Sequence, residues 1–393
     1  MPSAYNRIPG VRRPVPPRAN AAYVYTGGFA MLTFVENFTA LTWQMVVMWL
    51  IGGALIFLAI KKEMEPALLL PMGFGAILVN LPFSGATEVL DTLYNAGIGN
   101  ELFPLLLFIG IGAMIDFGPL LSNPKMLLFG AAAQFGIFFT LSAASLMGFD
   151  LTDAASIAII GAADGPTSIV VANHFGTKYL GAIVVAAYSY MALVPIVQPF
   201  CIKLITTRAE RRIRMKYSPS SVSKTTRILF PILVTAIAGL AAPASVALVG
   251  FLMFGNLLRE CGVLASLSET AQKVLANLIT LVLGLTVAVR MQADAFLQPE
   301  TLMILALGLV AFMFDTFGGV LFAKVLNLFL KEKINPMIGA AGISAFPMSS
   351  RVVHKLGREE DPNNWLLMHA AGANVAGQIA SVIAGGLIIA LVH

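Results

Sequence analysis

The amino-acid sequence predicts an all-α polytopic membrane protein of two inverted-topology repeats, each with a broken, re-entrant helical hairpin reaching the bilayer midplane. Three observations predict it. The 393 residues are 58% hydrophobic and only 11% charged, against about a quarter charged in soluble domains. Landmarks in the first half recur in order in the second. One apolar stretch in each half is interrupted by glycine and proline, where a regular helix cannot continue.

Apolar stretches lie near residues 42–60, 66–82, 102–116, 126–147, 153–175, 179–201, 228–242, 243–258, 275–290, 301–329, 334–350 and 365–391. A span needs about 20 mostly apolar residues. Helices that are apolar all round show little periodicity, so length and flanking charge define them. The two interrupted stretches read IGAADGPTS, within 153–175, and NPMIGAAGISAFP, within 334–350.

The internal repeat rests on three matches at an offset of roughly 177 residues. Pro66-Ala67 with Gly73-Phe74 matches Pro243-Ala244 with Gly250-Phe251. Pro124 matches Pro299, and Ile160-Gly161-Ala162-Ala163 matches Ile338-Gly339-Ala340-Ala341. The chain then divides into a Pro- and Arg-rich tail (1–40), a first repeat (41–202), a basic cytoplasmic linker (203–227) and a second repeat (228–393). Residues 21–40 are open between an interfacial helix and an extra span. No cleavable signal is recognised after the N-terminal arginines.

Short loops rich in Lys and Arg stay cytoplasmic. That places Lys61-Lys62, the 203–227 linker, the Lys324–Lys333 turn and Arg351, Lys355 and Arg358 inside. The acidic connections with Glu88, Asp91 and Glu101, and with Asp150 and Asp153, fall outside. Five apolar stretches separate two inside positions, so one does not cross. The 153–175 stretch is then a hairpin entering from outside and 334–350 one entering from inside, the plan by which transporters place ion sites near the midplane.

Asp164 sits in the first interruption. A carboxylate within the membrane costs about 2.5–3.5 kcal/mol on insertion scales and persists with a partner such as a cation or proton; the plainer reading is a cap on the helix opening at Pro166. The second interruption offers Asn335, Ser344 and Arg351, an amide oxygen, a hydroxyl and a guanidinium suited to bidentate capture of a carboxylate. Oxygen ligands suit a hard alkali cation such as Na⁺. Tyr190 and Asn374 occupy similar places in the last span of each half; each could equally be a packing group. Asp116, Asp315 and His369 read as boundary, capping or buried structural groups. Cys201 and Cys261 lack ligand spacing and read as packing residues. The net charge of +5 lies mostly in loops and reports orientation and lipid head groups, not a nucleic-acid partner. No phosphate loop, Ser-His-Asp order or zinc helix is present.

GAADGPTSIV at 161–170, AAYSYMALVPIVQP at 186–199, KINPMIGAAGISAFPMSSRV at 333–352 and HAAGANVAGQ at 369–378 together resemble the beta subunit of the biotin-dependent, sodium-pumping decarboxylases of oxaloacetate, methylmalonyl-CoA and glutaconyl-CoA. The resemblance runs from about residue 42 to the C-terminus. It implies decarboxylation of carboxybiotin on a separate biotin carrier protein, consumption of a proton and export of Na⁺ across a bacterial cytoplasmic membrane. It implies Asp164, Asn335 and Asn374 as Na⁺ ligands, Arg351 as the residue receiving carboxybiotin, and Tyr190, Gly339 and Ser344 as further functional positions. Implied partners are a carboxyltransferase subunit, the biotin carrier, a small membrane-anchoring subunit and further copies of this chain. The short 82–102 connection leans toward an acyl-CoA member. The alternative is a Na⁺-coupled secondary transporter of a small carboxylate, to which inverted repeats are equally suited.

Overall fold

The computed structural model of the chain describes residues 36–63, 65–216 and 222–392, and expectations for residues 1–35 lie outside these. Thr42–His393 form one compact unit; of the other, Met1–Leu41, residues 36–39 are helical. Every regular element among the described residues is a helix. Six are long and apolar enough to cross a bilayer, or up to eight if each of two bent pairs counts as one span. The chain is therefore a multi-pass membrane protein.

In the first half, α1 (Trp43–Lys61) opens on Thr42, whose hydroxyl accepts the Met45 N–H at 3.3 Å, satisfying one of the first-turn amides. α2 (Pro66–Val79) opens on proline, whose missing N–H is no loss there. α3 (Ala86–Gly97) and α4 (Leu102–Met114) meet at a 65° bend. The acidic connection read at 82–102 is thus largely a helix. Leu90 and Tyr94 face inward one turn apart, which anchors a segment too polar to register as a span. α5 (Leu127–Ala133) and α6 (Phe135–Leu146) follow, then α7 (Leu151–Ala158), α8 (Gly165–His174) and the long α9 (Leu180–Ile205).

The second half comprises α10 (Lys224–Ala241), α11 (Val246–Glu260), α12 (Ala276–Val287), α13 (Pro299–Phe329), α14 (Met337–Ala340), α15 (Met348–Glu360) and α16 (Leu367–Leu391). Leu233, Ile237 and Leu240 on α10, like Leu50, Phe57 and Ile60 on α1, are largely exposed. Such surfaces suit contact with acyl chains and would be a liability in water.

The halves exchange partners: α4 packs on α11, and α12 on α2. A Cβ added to Gly112 or Gly255 would strike the backbone of the facing helix, so small residues set the approach of α4 and α11. Two buried asparagines at matching positions lock the exchange. Asn80 donates to the carbonyls of Ala76 and Met291 and accepts the Ala293 N–H, all at 2.8 Å. Asn256 donates to the Ile115 carbonyl at 3.0 Å. Each half's asparagine thus ties down the end of a helix from the other half.

The two interrupted segments return to where they began. Thr177, after α8, donates to Asp153 in the first turn of α7. Asn335, before α14, donates to the carbonyl of Arg211, while the Arg211 guanidinium pairs at 2.7 Å with Glu360 at the end of α15. Those meeting points lie at opposite ends of α9, which starts beside Thr177 and ends where Lys324 reaches the Ile205 carbonyl. Its 26 residues bend by 70° between Met191 and Leu193.

The basic linker is docked at one of these ends. Thr207 and Glu210 form a capping box, Lys324 pairs with Glu210 at 3.1 Å, and Arg214 grips Asp361 with two nitrogens. Arg214 holds the Asp361 carboxyl below its ordinary value. Burial pushes Glu360 up, but Arg211 and Arg208 outweigh it and hold that carboxyl low as well.

Asn80→Ala leaves a carbonyl and an amide without partners and is expected to lower stability by about 1–3 kcal/mol, read as a lower thermal midpoint in detergent, with Asn256→Ala acting in the same direction. Because Glu360 and Asp361 have depressed folded-state values, their contribution to linker docking is fully present above the unfolded carboxylate range. It is lost as pH falls through the depressed values. Amide exchange across residues 207–214 is accordingly expected to be slow near neutral pH and, after correction for intrinsic rates, to accelerate below about pH 4; unchanged protection there would sink the assignment.

Where the two broken elements meet: a candidate cation site

The first break is built from residues 159–164. α7 passes into a 3₁₀ turn, Ile159–Ala162, and Ala163 takes a left-handed φ of 51°. That conformation is uncommon for a residue with a Cβ and stores backbone strain. Asp164 is extended, and Pro166 then sets the first turn of α8. The strained position is the alanine, although glycines stand at 161 and 165.

Asp164 performs both roles that its position allows. It caps α8, with Oδ1 accepting the Thr167 N–H at 3.4 Å and Oδ2 accepting the Thr167 hydroxyl at 2.7 Å. It also reaches the second half, since Ser381 on α16 donates to Oδ2 at 2.9 Å. The residue is 4% exposed.

The second break, residues 341–347, comes to the same place. The amide and the hydroxyl of Ser344 both donate to the Ala162 carbonyl, at 3.3 and 2.6 Å. From α16, Asn374 donates to the Ile343 carbonyl at 2.7 Å, and Gln378 donates to that of Ser344. The Asn374 Oδ1 is buried without a donor. The backbones of the break and of α16 touch: a Cβ on Gly377 would fall on the Gly342 carbonyl.

The remaining expected positions surround this junction at different depths. Gly339 lies against Gly319 of α13, and a side chain on either would overlap the other's backbone. Tyr190 on α9 donates to the Leu305 carbonyl of α13, its ring edge against Gly308. Arg351 is exposed in the first turn of α15, without an ion pair to a described carboxylate. Asn335 is engaged elsewhere: its amide donates to the Arg211 and Ile213 carbonyls at 2.8 and 2.9 Å, and its oxygen accepts the Met337 N–H at 3.1 Å. Its bonds do not converge with those of Asp164. Asp116 pairs with Arg227 and Arg259 and accepts the Gly118 N–H, a boundary role.

Sequence reasoning passed over Thr167, Tyr188, Gln378 and Ser381. The last two carried a signal: Asn374, Gln378 and Ser381 stand at i, i+4 and i+7, a polar stripe on one face of an otherwise apolar helix. Tyr188 could not be singled out from its neighbour Tyr190. Its ring covers Gly165 beside Asp164, and its hydroxyl is buried without a partner.

The donor set suits a small hard cation. A carboxylate, hydroxyls that can turn lone pairs inward and an unsatisfied amide oxygen lie on one bonded network, and oxygen ligands of this kind favour alkali and alkaline-earth ions over soft metals.

Comparisons with known proteins agree with this chemistry. Residues 44–392 match the family model described as the Na⁺-transporting oxaloacetate decarboxylase beta subunit. The chain is 47% identical to the methylmalonyl-CoA decarboxylase subunit beta of Propionigenium modestum, covering 92% of this chain and 99% of that one. It is 48% identical to the glutaconyl-CoA decarboxylase subunit beta of Acidaminococcus fermentans, over 91% and 96% of the two chains. With the probable oxaloacetate decarboxylase beta chain of Vibrio cholerae it shares 44%, over 91% and 98%. Relatives of this closeness over nearly the whole length, and a motif-bearing core that places Asp164 at the junction of its halves, show that the chain belongs to the beta subunits of the Na⁺-transporting decarboxylases, which couple decarboxylation to sodium transport.

Proposed function

We propose that this subunit decarboxylates carboxybiotin presented by a separate biotin carrier, consumes a proton in doing so, and uses the reaction to export Na⁺ from the cytoplasm through a site at Asp164. The single observation that carries the reading is the convergence at Asp164 and Ala162 of groups from both halves: Ser381 on the carboxylate and Ser344 on the neighbouring carbonyl. Under this reading residues 41–202 and 228–393 are inverted repeats joined by the 203–227 linker. Segments 153–175 and 334–350 are hairpins entering from opposite faces. The bonds Thr177–Asp153 and Asn335–Arg211–Glu360 support it, since each segment begins and ends at one face.

Asp164 and Asn374 are the proposed Na⁺ ligands. The Asn374 oxygen is already without a donor, and Asp164 would give up hydroxyl bonds as the ion takes their place. Asn335 could join only if its oxygen left the Met337 amide, so its contribution belongs to a different position of the second hairpin. Arg351 lies in the first turn of α15, next to the second break, exposed and paired with no described carboxylate, which fits it to receive the carboxylate of carboxybiotin bidentately. Loss of CO₂ breaks the N–C bond and leaves an anionic ureido nitrogen, which takes up a proton to become N–H. A guanidinium nearby stabilises that developing charge. Ser344 couples the two hairpins, Tyr190 fixes α9 against α13, and Gly339 allows the second hairpin to lie directly on α13.

The partners proposed are a carboxyltransferase subunit, the biotin carrier, a small anchoring subunit and other copies of this chain, in a bacterial cytoplasmic membrane. Identity is higher to the two acyl-CoA relatives, at 47% and 48%, than to the Vibrio cholerae chain at 44%. Together with the short 82–102 connection, this favours an acyl-CoA as the substrate of the complex.

Asp164→Asn keeps the size of the side chain and removes its charge. In the complex reconstituted into vesicles, it is expected to abolish ²²Na⁺ transport and lower Na⁺-dependent decarboxylation by about 100-fold or more. Wild-type rates in this variant would refute the site. Arg351→Lys keeps the charge without the fork and is expected to raise KM for the carboxybiotin carrier more than it lowers kcat; unaltered KM would remove Arg351 from substrate binding.

A further inference from the structure

A second carboxyl lies deep in the bundle, and nothing above uses it. Asp315, midway along α13, is fully buried; no side chain donates to its carboxyl oxygens, which face the first-turn amides of Gly136 and Ile137 on α6. Its oxygens lie against two glycines that leave room for them: a Cβ on Gly136 would fall 2.5 Å from Oδ1, and one on Gly161 2.7 Å from Oδ2. Gly136 is in the first turn of α6. Gly161 is in the 3₁₀ turn whose last carbonyl, at Ala162, is held by Ser344.

No side-chain cation among the described residues pairs with the group. α5, α6, α14 and the 159–162 turn carry no titratable residue. Of the other helices packed on α13, α9 brings Tyr188, Tyr190, Cys201 and Lys203, and α7 brings Asp153, none of them within hydrogen-bond reach of Asp315. Tyr190 is committed to Leu305 and Asp153 to Thr177. An unpaired carboxylate in such surroundings is far more costly than the neutral acid.

We propose that Asp315 is a proton-carrying site of the transport cycle, separate from the cation site at Asp164. The inference rests on the coupling reading of the previous subsection. The four-residue turn 159–162 connects the two acids mechanically: it presses on Asp315 through Gly161 and leads into Asp164 two residues after Ala162. In the arrangement described here the turn seals Asp315 from water, which favours –COOH. Movement of the turn when a cation reaches Asp164 would uncover the acid and let it ionise, –COOH going to –COO⁻ with release of H⁺ to water. Return of the turn requires H⁺ to be taken up again. Cation and proton are then carried on different carboxyls, and the turn prevents both from being charged and sealed at once.

The test uses the full chain purified in detergent, with Na⁺-induced infrared difference spectra in light and heavy water, alongside decarboxylation by the reconstituted complex across pH. The expected result is that the wild type loses a protonated-carboxyl band on addition of NaCl, but not of choline chloride. Asp315→Asn, of nearly the same shape, is expected to lack that band and to lose at least about tenfold in Na⁺-dependent rate. Asp315→Glu is expected to restore a band at shifted frequency, separating loss of the ionisable group from damage to packing. If the wild type responds to Na⁺ while Asp315→Asn keeps its band and its pH profile, Asp315 is only a structural group and the coupling reading stands. If decarboxylation by the wild type ignores Na⁺, both readings fall.

Discussion

The bond from Ser344 to the Ala162 carbonyl is the constraint on which the rest of the structure turns. Breaking a helix in the middle of an apolar bundle frees backbone groups that neither lipid nor bulk water can satisfy, each worth about 1–3 kcal/mol if left alone. The first break exposes its carbonyl at 162 and the second supplies both a hydroxyl and an amide to it. Neither broken element is complete without the other. A displacement of one tip must carry the other with it or leave a buried acceptor bare, and this gives the pair few arrangements instead of a continuum.

Much of the fold was legible because its determinants are local. The interruptions announced themselves through Gly161, Gly165, Pro166 and Pro347, which cluster where the helices break, although single prolines such as Pro71 and Pro231 lie inside helices. The site was legible only in part. Asp164, Ser344 and Asn374 stood out as polar groups in apolar sequence, and they do lie on one bonded network. Asn335 stood out for the same reason, yet its partners are carbonyls at 211 and 213 in the linker, more than 120 residues away. Nothing local distinguishes an amide that binds an ion from one that binds a carbonyl. Asp315 read as a cap on the Gly318-Gly319 pair. Α13 runs through those glycines unbroken, and Gly319 serves the approach of Gly339 instead.

The exchange of helices between the halves sets the breaks in a firm frame. α4 on α11 and α12 on α2 bind the two halves through glycine contacts and through Asn80 and Asn256, all away from the breaks. The breaks themselves are held by single hydrogen bonds from serines, by Asn374 and Gln378, and by a strained alanine at 163.

The partners of Asp164 also bear on selectivity between ions. Its two described side-chain donors, Thr167 and Ser381, are neutral hydroxyls, and the third bond comes from a backbone amide. An arginine or lysine in their place would neutralise the carboxylate permanently and leave a cation no advantage, since the buried pair would already be satisfied. Hydroxyls stabilise the charge without cancelling it, and each can rotate to offer a lone pair once an ion arrives. A carboxylate so held remains able to exchange one small cation for another. That is the property a transport site needs and a structural ion pair lacks; the guanidinium–carboxylate pairs described here, Arg211–Glu360 and Arg214–Asp361 at the linker and Asp116 with Arg227 and Arg259 at a boundary, make no bond to Asp164.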